Sequence, residues 1–459
     1  MKRVTLFEHQ RLYRGGSKAG ENDAQIDPAL YDRLRHFDFY HREKNQRVRE
    51  RKQKDRVFDW GYGYAKAKQW VGVVQVPGLQ VEILPKAGAN EAITSELAAS
   101  NLLYMLSVAG MIPLRERDLA DVSLTRTSLM EALAAIFAKR LAAQLSRGLE
   151  RSYQSIEANI RTFKGKLLVT QHVRANAAHR ERMYCSFDEY SADTAMNRIF
   201  KACCNLLHRT TRKSSTQKAL RVSLELLDDV SDVIPSNHVL DSIILNRQNE
   251  RFADLLTFCR LILAQNSPTG HGGMTRTFAL LFDMNVVFER FIGASIKRWV
   301  LPAIAKDGIH LKAHLQAKGM QLSLVRNTET QRNEMRLAPD VLLTDPEGAA
   351  HLILDTKWKR PDKSRPSQSD IYQLFAYAHR YQSPRNVLLY PCAEGSVPRS
   401  YELLKSDHGT RQTLDSCFVD LDRDLRKDFN KIICSLKAIV QESQAASAAP
   451  CGSERSSGI

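Results

Sequence analysis

Two periods alternate along this chain. Short β-branched runs at Trp70-Val71-Gly72-Val73-Val74-Gln75-Val76 and Leu79-Gln80-Val81-Glu82-Ile83-Leu84 flank a Pro77-Gly78 pair. Two half-buried strands around a turn-forming dipeptide predict a hairpin. From Leu129 the apolar spacing becomes helical: Leu129, Leu133, Ile136, Phe137, Leu141 and Leu145 fall on one stripe, with Lys139, Arg140 and Arg147 mostly off it. That is the pattern of an amphipathic, core-facing helix. Residues 153–176 are basic and partly extended around Phe163-Lys164-Gly165-Lys166-Leu167-Leu168-Val169. Residues 191–264 read as largely helical, one helix opening at Asp193–Arg198 and another covering Phe252–Ala264. Gln265–Gly273, carrying Pro268, Gly270, Gly272 and Gly273, breaks every period and predicts a domain boundary. A helix over Thr277–Val300 follows, with Leu281, Phe282, Phe288, Phe291 and Ile292 at helical spacing and Glu289 interrupting them. Strands are expected at Ala338–Thr344 and His351–Trp358, joined by the turn Asp345-Pro346-Glu347-Gly348, and a helix at Asp370–Tyr377.

Outside these segments the texture is polar. Residues 1–58 read as a basic extension, in which His41–Arg56 holds Arg42, Lys44, Arg47, Arg49, Arg51, Lys52, Lys54 and Arg56 against Glu43, Glu50 and Asp55. A solvated helix face and a phosphate-contacting arm both fit that run. Residues 441–459 are rich in Ala, Ser and Gly and are expected to be disordered. The expected domains are thus 1–58, an N-terminal region at 59–267, a second domain at 268–440, and the tail.

Charge sharpens the picture. The 459 residues hold 67 Lys plus Arg against 51 Asp plus Glu, a formal net charge of +16. Such a surplus favours a partner with a negative surface: nucleic acid, anionic lipid or an acidic protein. No window reaches the ~18 apolar residues of a membrane span, and no apolar segment follows the basic start, so a cytoplasmic protein is expected. The eight cysteines include no Cys-x-x-Cys, which removes the usual zinc ligand pairs. Gly15 and Gly20 have the spacing of a P-loop's glycines, but Glu21-Asn22 follows where Lys and Ser or Thr are required. Without that lysine nothing reaches the terminal phosphates, so this chain is not expected to bind a nucleotide.

The candidate chemistry lies in the second hairpin. Side chains alternate along a strand, so His351, Ile353, Asp355, Lys357 and Lys359 share one face. Antiparallel pairing across the turn brings Asp340 beside Asp355, and two carboxylates then converge with a lysine. Adjacent carboxylates repel unless a cation or proton separates them, and an oxygen-only set favours a hard ion such as Mg²⁺. A metal there can polarise a phosphodiester oxygen and acidify water, while the Lys357 ammonium offsets transition-state charge. Taken singly, each residue also fits a turn acid or an exposed ion pair.

In order and context, Pro339-Asp340, Asp355-Thr356-Lys357 and the helix carrying Gln373 and Tyr377 resemble the PD-(D/E)xK nuclease motif. Gln373 and Tyr377 lie one helical turn apart, on one face. In nucleases of that kind an upstream helix acid often joins the site, a place Glu289 fills. A longer resemblance, to the McrC family, covers the chain from about residue 60. It runs through Tyr62–Lys86, Asp188–Arg198, Leu281-Phe282-Asp283-Met284 with Phe288-Glu289, and Leu354-Asp355-Thr356-Lys357-Trp358-Lys359. The resemblance implies an α+β chain: a β and helical partner-docking region, then a restriction-endonuclease-like α/β/α domain with a mixed sheet. It also implies a Mg²⁺-dependent DNA endonuclease with Asp340, Asp355, Lys357, Gln373 and Glu289 as catalytic residues, and with Asp340, Asp355 and Glu289 on the metal. The implied partner is an McrB-like AAA+ GTPase hexamer that uses the GTP, recognises methylated DNA and is stimulated by this chain. Two rivals remain: a non-catalytic adaptor that grips DNA and activates an NTPase, and a nuclease of the same fold serving repair or transposition.

Overall fold

The computed structural model describes residues 1–15, 24–45, 56–86, 94–114, 128–266, 277–361, 365–404 and 412–441. Most of the basic run at 41–56, nearly all of the glycine-rich boundary segment and the tail lie outside the described residues. The chain forms two compact units, one of Met1–Leu129 with Gly273–Ile459, the other of Met130–Gly272. The expected boundary near 268 thus lies close to one edge of the second unit, whereas the expected boundary at 58/59 falls inside the first.

The N-terminal residues are not a polar extension. Strand β1 (Lys2–Phe7), β2 (Arg11–Arg14), β3 (Ala24–Ile26) and helix α1 (Pro28–Asn45) precede β4 (Phe58–Gly61), β5 (Tyr64–Ala67), β6 (Trp70–Val76) and β7 (Leu79–Leu84). The β6–β7 hairpin forms as the pattern predicts. Strand β1 then pairs with β7 in parallel, Val4 opposite Val81 and Leu6 opposite Ile83. Val4, Leu6, Leu12, Ile26, Tyr31 and Leu34 are buried in the same core as Val74, Val81 and Ile83. These apolar residues are too sparse and too far from their partners for a local period to reveal them. Helix α2 (Ser95–Val108) closes this part, with Thr94 Oγ1 capping it by accepting from the Leu97 N–H.

The second unit holds helix α3 (Leu129–Leu145), whose first residue belongs to the other unit. It also holds β8 (Ser152–Ile160), β9 (Lys166–Leu167), helix α4 (Val169–Ala175), β10 (Met183–Ser191) and helices α5 (Ala195–Thr210), α6 (Ser214–Leu226) and α7 (Ala253–Asn266). The strands form a sheet in the order β8-β10-β9. The Asp193–Arg198 segment is an ionic staple at the start of α5. Asp193 accepts from Arg198 Nε and Nη2 at 2.7 Å each and from the Ser231 N–H and Oγ–H.

After the second unit the chain re-enters the first by a strand, not a helix. Strand β11 (Phe278–Asp283) pairs antiparallel with β6, completing the order β1-β7-β6-β11. The expected helix Thr277–Val300 begins only at α8 (Met284–Ser295), which the Asp283 carboxylate caps by accepting from the Asn285 N–H at 2.9 Å. Phe278-Ala279-Leu280-Leu281-Phe282 is a continuous apolar run, and such a run reads equally as buried strand or helix. Gly72 permits this pairing: its φ is +128°, and a Cβ there would lie 2.0 Å from the Leu280 carbonyl oxygen. A π-turn at Ile296–Val300 extends α8.

The remainder is a mixed sheet with helices. Strands β12 (Lys312–Leu315), β13 (Leu322–Arg326), β14 (Asn333–Leu337), β15 (Val341–Thr344) and β16 (Ala350–Thr356) lead to helix α9 (Gln368–Tyr381). Then come β17 (Arg385–Pro391), β18 (Arg399–Glu402), β19 (Thr413–Val419) and helix α10 (Leu425–Val440). Six of these strands form the order β12-β15-β16-β17-β19-β18, in which β16, β17 and β19 run parallel, while β13 and β14 pair only with each other. Leu374 and Tyr377 of α9 pack on Leu342, Ile353, Leu388 and Tyr390 of one sheet face. On the other, α8 and α10 meet through Phe291 and Phe429, and the ring of Phe288 of α8 packs tilted against Trp358. Helices on both faces of a mixed sheet make the α/β/α arrangement within an α+β chain.

Candidate active site

Two elements that close on each other build the site. In the β15–β16 hairpin Val341 pairs with Leu354 and Leu342 with Ile353, so one further step of this register carries Asp340 to Asp355. Asp345 shapes the turn, its carboxylate accepting from the Glu347 and Ala349 N–H groups. Asp340 is then held by β16 itself, its Oδ2 accepting from Thr356 N at 2.7 Å and Thr356 Oγ1 at 2.6 Å. Asp355 is only 2% exposed, and its Oδ2 lies 2.5 Å from Lys357 Nζ. That contact is a buried ion pair in which the ammonium holds the carboxylate directly.

Helix α9 supplies the rest. Ser367 caps it by accepting from the Asp370 N–H, which fixes the helix phase so that Gln373, Tyr377 and Tyr381 form one stripe. Lys357 Nζ donates to Gln373 Oε1 at 2.9 Å, and Gln373 Nε2 donates to the Tyr377 hydroxyl at 2.9 Å. A chain of contacts thus runs Asp355–Lys357–Gln373–Tyr377. Glu289 of α8 faces the same group at one remove. Its Oε1 accepts from Gln316 Nε2 at 2.9 Å, and the Gln316 backbone N–H donates to the Asp340 carbonyl at 2.8 Å.

Burial sets the charge states. Burial first and then the Asp340 charge, working against Lys357, push the Asp355 carboxyl up to about 7. Burial also raises Asp340, against its Thr356 hydrogen bonds and Lys357. Glu289 rises through burial and then through the Asp340 charge. For Lys357 burial acts against the ammonium, but Asp355, Asp340 and Asp370 outweigh it and hold its pKa above the usual lysine value. Tyr377 is raised to about 12 by burial and by the two aspartates. The group therefore combines carboxyls that ionise reluctantly with a lysine that stays charged, an arrangement that a divalent cation relieves.

Among the described residues no three carboxylate, imidazole or thiolate side chains converge as a ready ligand cluster. Mg²⁺ needs fewer: it keeps several waters and is usually held by one or two carboxylates. Asp340 and Asp355, both oxygen donors and both raised by burial, with the Asp340 charge pushing Asp355 up further, fit that requirement. Glu289, expected as a third ligand, has Oε1 bonded to Gln316 and lies close enough for the Asp340 charge to raise it.

Sequence reasoning missed four participants. Thr356 and Gln316 each combine one backbone and one side-chain bond, a pairing that no residue pattern shows. Lys359 and Asp370 form a second ion pair beside the first: Lys359 Nζ lies 2.6 Å from Asp370 Oδ2, which also accepts from the Tyr390 hydroxyl at 3.2 Å. The two-residue alternation Asp355, Lys357, Lys359 was the available signal for Lys359.

The family model of the McrBC 5-methylcytosine restriction system component matches residues 65–391. The chain belongs to this family. Its fold resembles a chain of the refined half-complex from the tetradecameric assembly of Thermococcus gammatolerans McrB AAA+ hexamers with bound McrC. The TM-score is 0.66 at 20% identity, covering 94% of this chain and 100% of that one. A chain of the cryo-EM structure of the Thermococcus gammatolerans McrBC complex matches with a TM-score of 0.51 at 23% identity, covering 65% of this chain and 88% of that one. No curated protein matches. Among the described residues no helix is long and apolar enough to cross a membrane.

Proposed function

We propose that this chain is the DNA endonuclease subunit of a modification-dependent restriction complex, hydrolysing phosphodiester bonds with Mg²⁺ while docked on a separate McrB-like AAA+ GTPase hexamer. The convergence of Asp340, Asp355, Lys357 and Gln373 at one end of the mixed sheet carries this reading. Family membership and the fold shared with chains of McrB–McrC assemblies support the restriction context and the ring-shaped partner.

Asp340 and Asp355 would hold the metal, Asp340 being fixed for this by Thr356. When bound, Mg²⁺ supplies Lewis acidity toward the phosphodiester and acidifies water. Lys357 works as a fixed cation and not as a base, because its carboxylate neighbours keep it protonated. Its ammonium, steered by Asp355 on one side and Gln373 on the other, orients the attacking water and offsets charge gathering on the phosphate. Tyr377 donates no proton at neutral pH and acts by fixing the Gln373 amide.

Lys357→Ala tests the assignment. With the cognate GTPase and methylated DNA, Mg²⁺-dependent cleavage is expected to slow by at least ~100-fold, the scale of a lost positioned catalytic group, with GTP turnover retained. Cleavage by Lys357→Ala at the wild-type rate would favour the adaptor reading.

A further inference from the structure

Strands β13 and β14 stand apart from the six-stranded sheet as a two-stranded ribbon, and we infer that this ribbon is an arm that enters a groove of duplex DNA beside the proposed cleavage site. The inference rests on the nuclease reading above and adds the surface that holds the substrate. Both ends of the ribbon are tied to the site. Leu337 ends β14 and the chain reaches Asp340 three residues later. At the base, the Tyr381 hydroxyl donates to the Leu337 carbonyl at 3.1 Å and accepts from the Leu322 N–H at 3.2 Å. Arg380 Nε donates to the Ser323 carbonyl at 2.9 Å. Tyr381 continues the α9 stripe of Gln373 and Tyr377, so one helix aligns the lysine of the site and the root of the arm.

The arm itself faces solvent. Every residue from Thr328 to Arg336 is exposed, and β13 is exposed from Leu324 to Arg326. An isolated two-stranded ribbon is marginal in water, and exposed apolar residues add nothing to its folding. Yet Leu324, Val325 and Met335 are 39%, 45% and 67% exposed, and Met335 sits in the left-handed region at φ 55°. Strain of that kind at an exposed apolar residue marks a surface kept for contact. The tip is ordered rather than loose: Asn327 Oδ1 accepts from the Glu329 and Thr330 N–H groups, and the Asn327 N–H donates to the Arg332 carbonyl.

Charge selects the occupant. Arg326, Arg332 and Arg336 stand on the ribbon against Glu329 and Glu334, and Lys318 and Arg380 flank its root. Counting all of them gives five positive charges against two negative ones. The major groove of B-DNA has the width of a two-stranded ribbon, the arginines match phosphate, and the apolar side chains match sugar and thymine methyl surfaces. This surplus also offsets the repulsion between the DNA and the acidic group at Asp340 and Asp355.

The experiment uses the full chain with its GTPase partner and a plain duplex oligonucleotide. Two variants are compared with wild type: one in which Arg326, Arg332 and Arg336 are all Gln, and Glu329→Gln/Glu334→Gln. For the first, DNA affinity is expected to fall at least ~10-fold, and the slope of log affinity against log salt to shrink by about 2 to 3, near 0.9 per lost phosphate contact. GTPase stimulation should stay within about twofold. The second variant should bind more tightly, a gain that misfolding cannot produce. Unchanged affinity and slope in both variants would overturn the inference. So would loss of GTPase stimulation with DNA binding intact, which would make the arm a protein-docking element. Because binding is read without cleavage, failure of the nuclease reading shows separately, as normal cutting by Asp340→Asn.

Discussion

Asp355 is the residue on which the account turns, because it is buried and meets both a lysine and the charge of a second aspartate. A carboxyl raised to about 7 binds a proton in the range where the proposed site would have to bind metal. The sign follows from linkage. Between the ordinary aspartate value and about 7 the folded chain holds the proton that the unfolded chain has lost, so stability falls as pH rises through that window. Mg²⁺ takes the proton's place only where the carboxyl is ionised. The melting temperature should therefore rise more with Mg²⁺ at pH 8 than at pH 6. The Mg²⁺ concentration for half-maximal cleavage should increase by up to ~10-fold per pH unit below 7. A pH-independent Mg²⁺ response would remove Asp355 from the metal site. Gln373 is tested by Gln373→Ala and Tyr377→Phe. The first removes the acceptor that steers the ammonium and should lower the cleavage rate by ~10–100-fold; the second leaves that acceptor in place and should cost less. Single-turnover cleavage rates decide the order.

At the scale of elements, the β15–β16 hairpin and α9 were legible because both obey a local rule. The hairpin shows a turn between two short runs, and its two-residue alternation places Asp355 with Lys357; α9 shows the four-residue step from Gln373 to Tyr377. What escaped was nonlocal. Strand β1 owes its existence to β7, more than seventy residues away along the chain. Strand β11 is a featureless apolar run until β6 supplies a partner, and the register between them needs Gly72. Only the close approach of two backbones explains that glycine, since a Cβ would collide with the Leu280 carbonyl. Gly72→Ala should therefore destabilise the chain by at least ~2 kcal/mol, read as a fall in the midpoint of urea unfolding. A neutral effect would mean that β6 and β11 do not pair in this register. Gln316 and Thr356 escaped for a different reason: each holds the site by one backbone and one side-chain bond, a combination that composition and spacing do not encode.

For the whole molecule the unexpected feature is connectivity. The second unit is inserted at residues 130–272, and the strand that follows it closes a sheet begun at residue 2. The six-stranded mixed sheet therefore shares a compact unit with the N-terminal strands. Glu8, buried at the end of β1, shows the closeness: its carboxylate accepts from the Trp358 indole N–H, one residue beyond Lys357, at 2.9 Å. The central claim is nonetheless chemical, that this chain cuts DNA and does not merely activate its partner. Asp340→Asn/Asp355→Asn keeps side-chain size while removing both metal-binding charges. GTP turnover and cleavage of methylated DNA are to be measured on the same preparations of the complex. The account predicts stimulated GTP turnover close to wild type with cleavage lowered at least ~100-fold, and little added loss over either single variant, because both groups serve one site. Wild-type cleavage by the folded double variant would contradict it and place the nuclease in another chain.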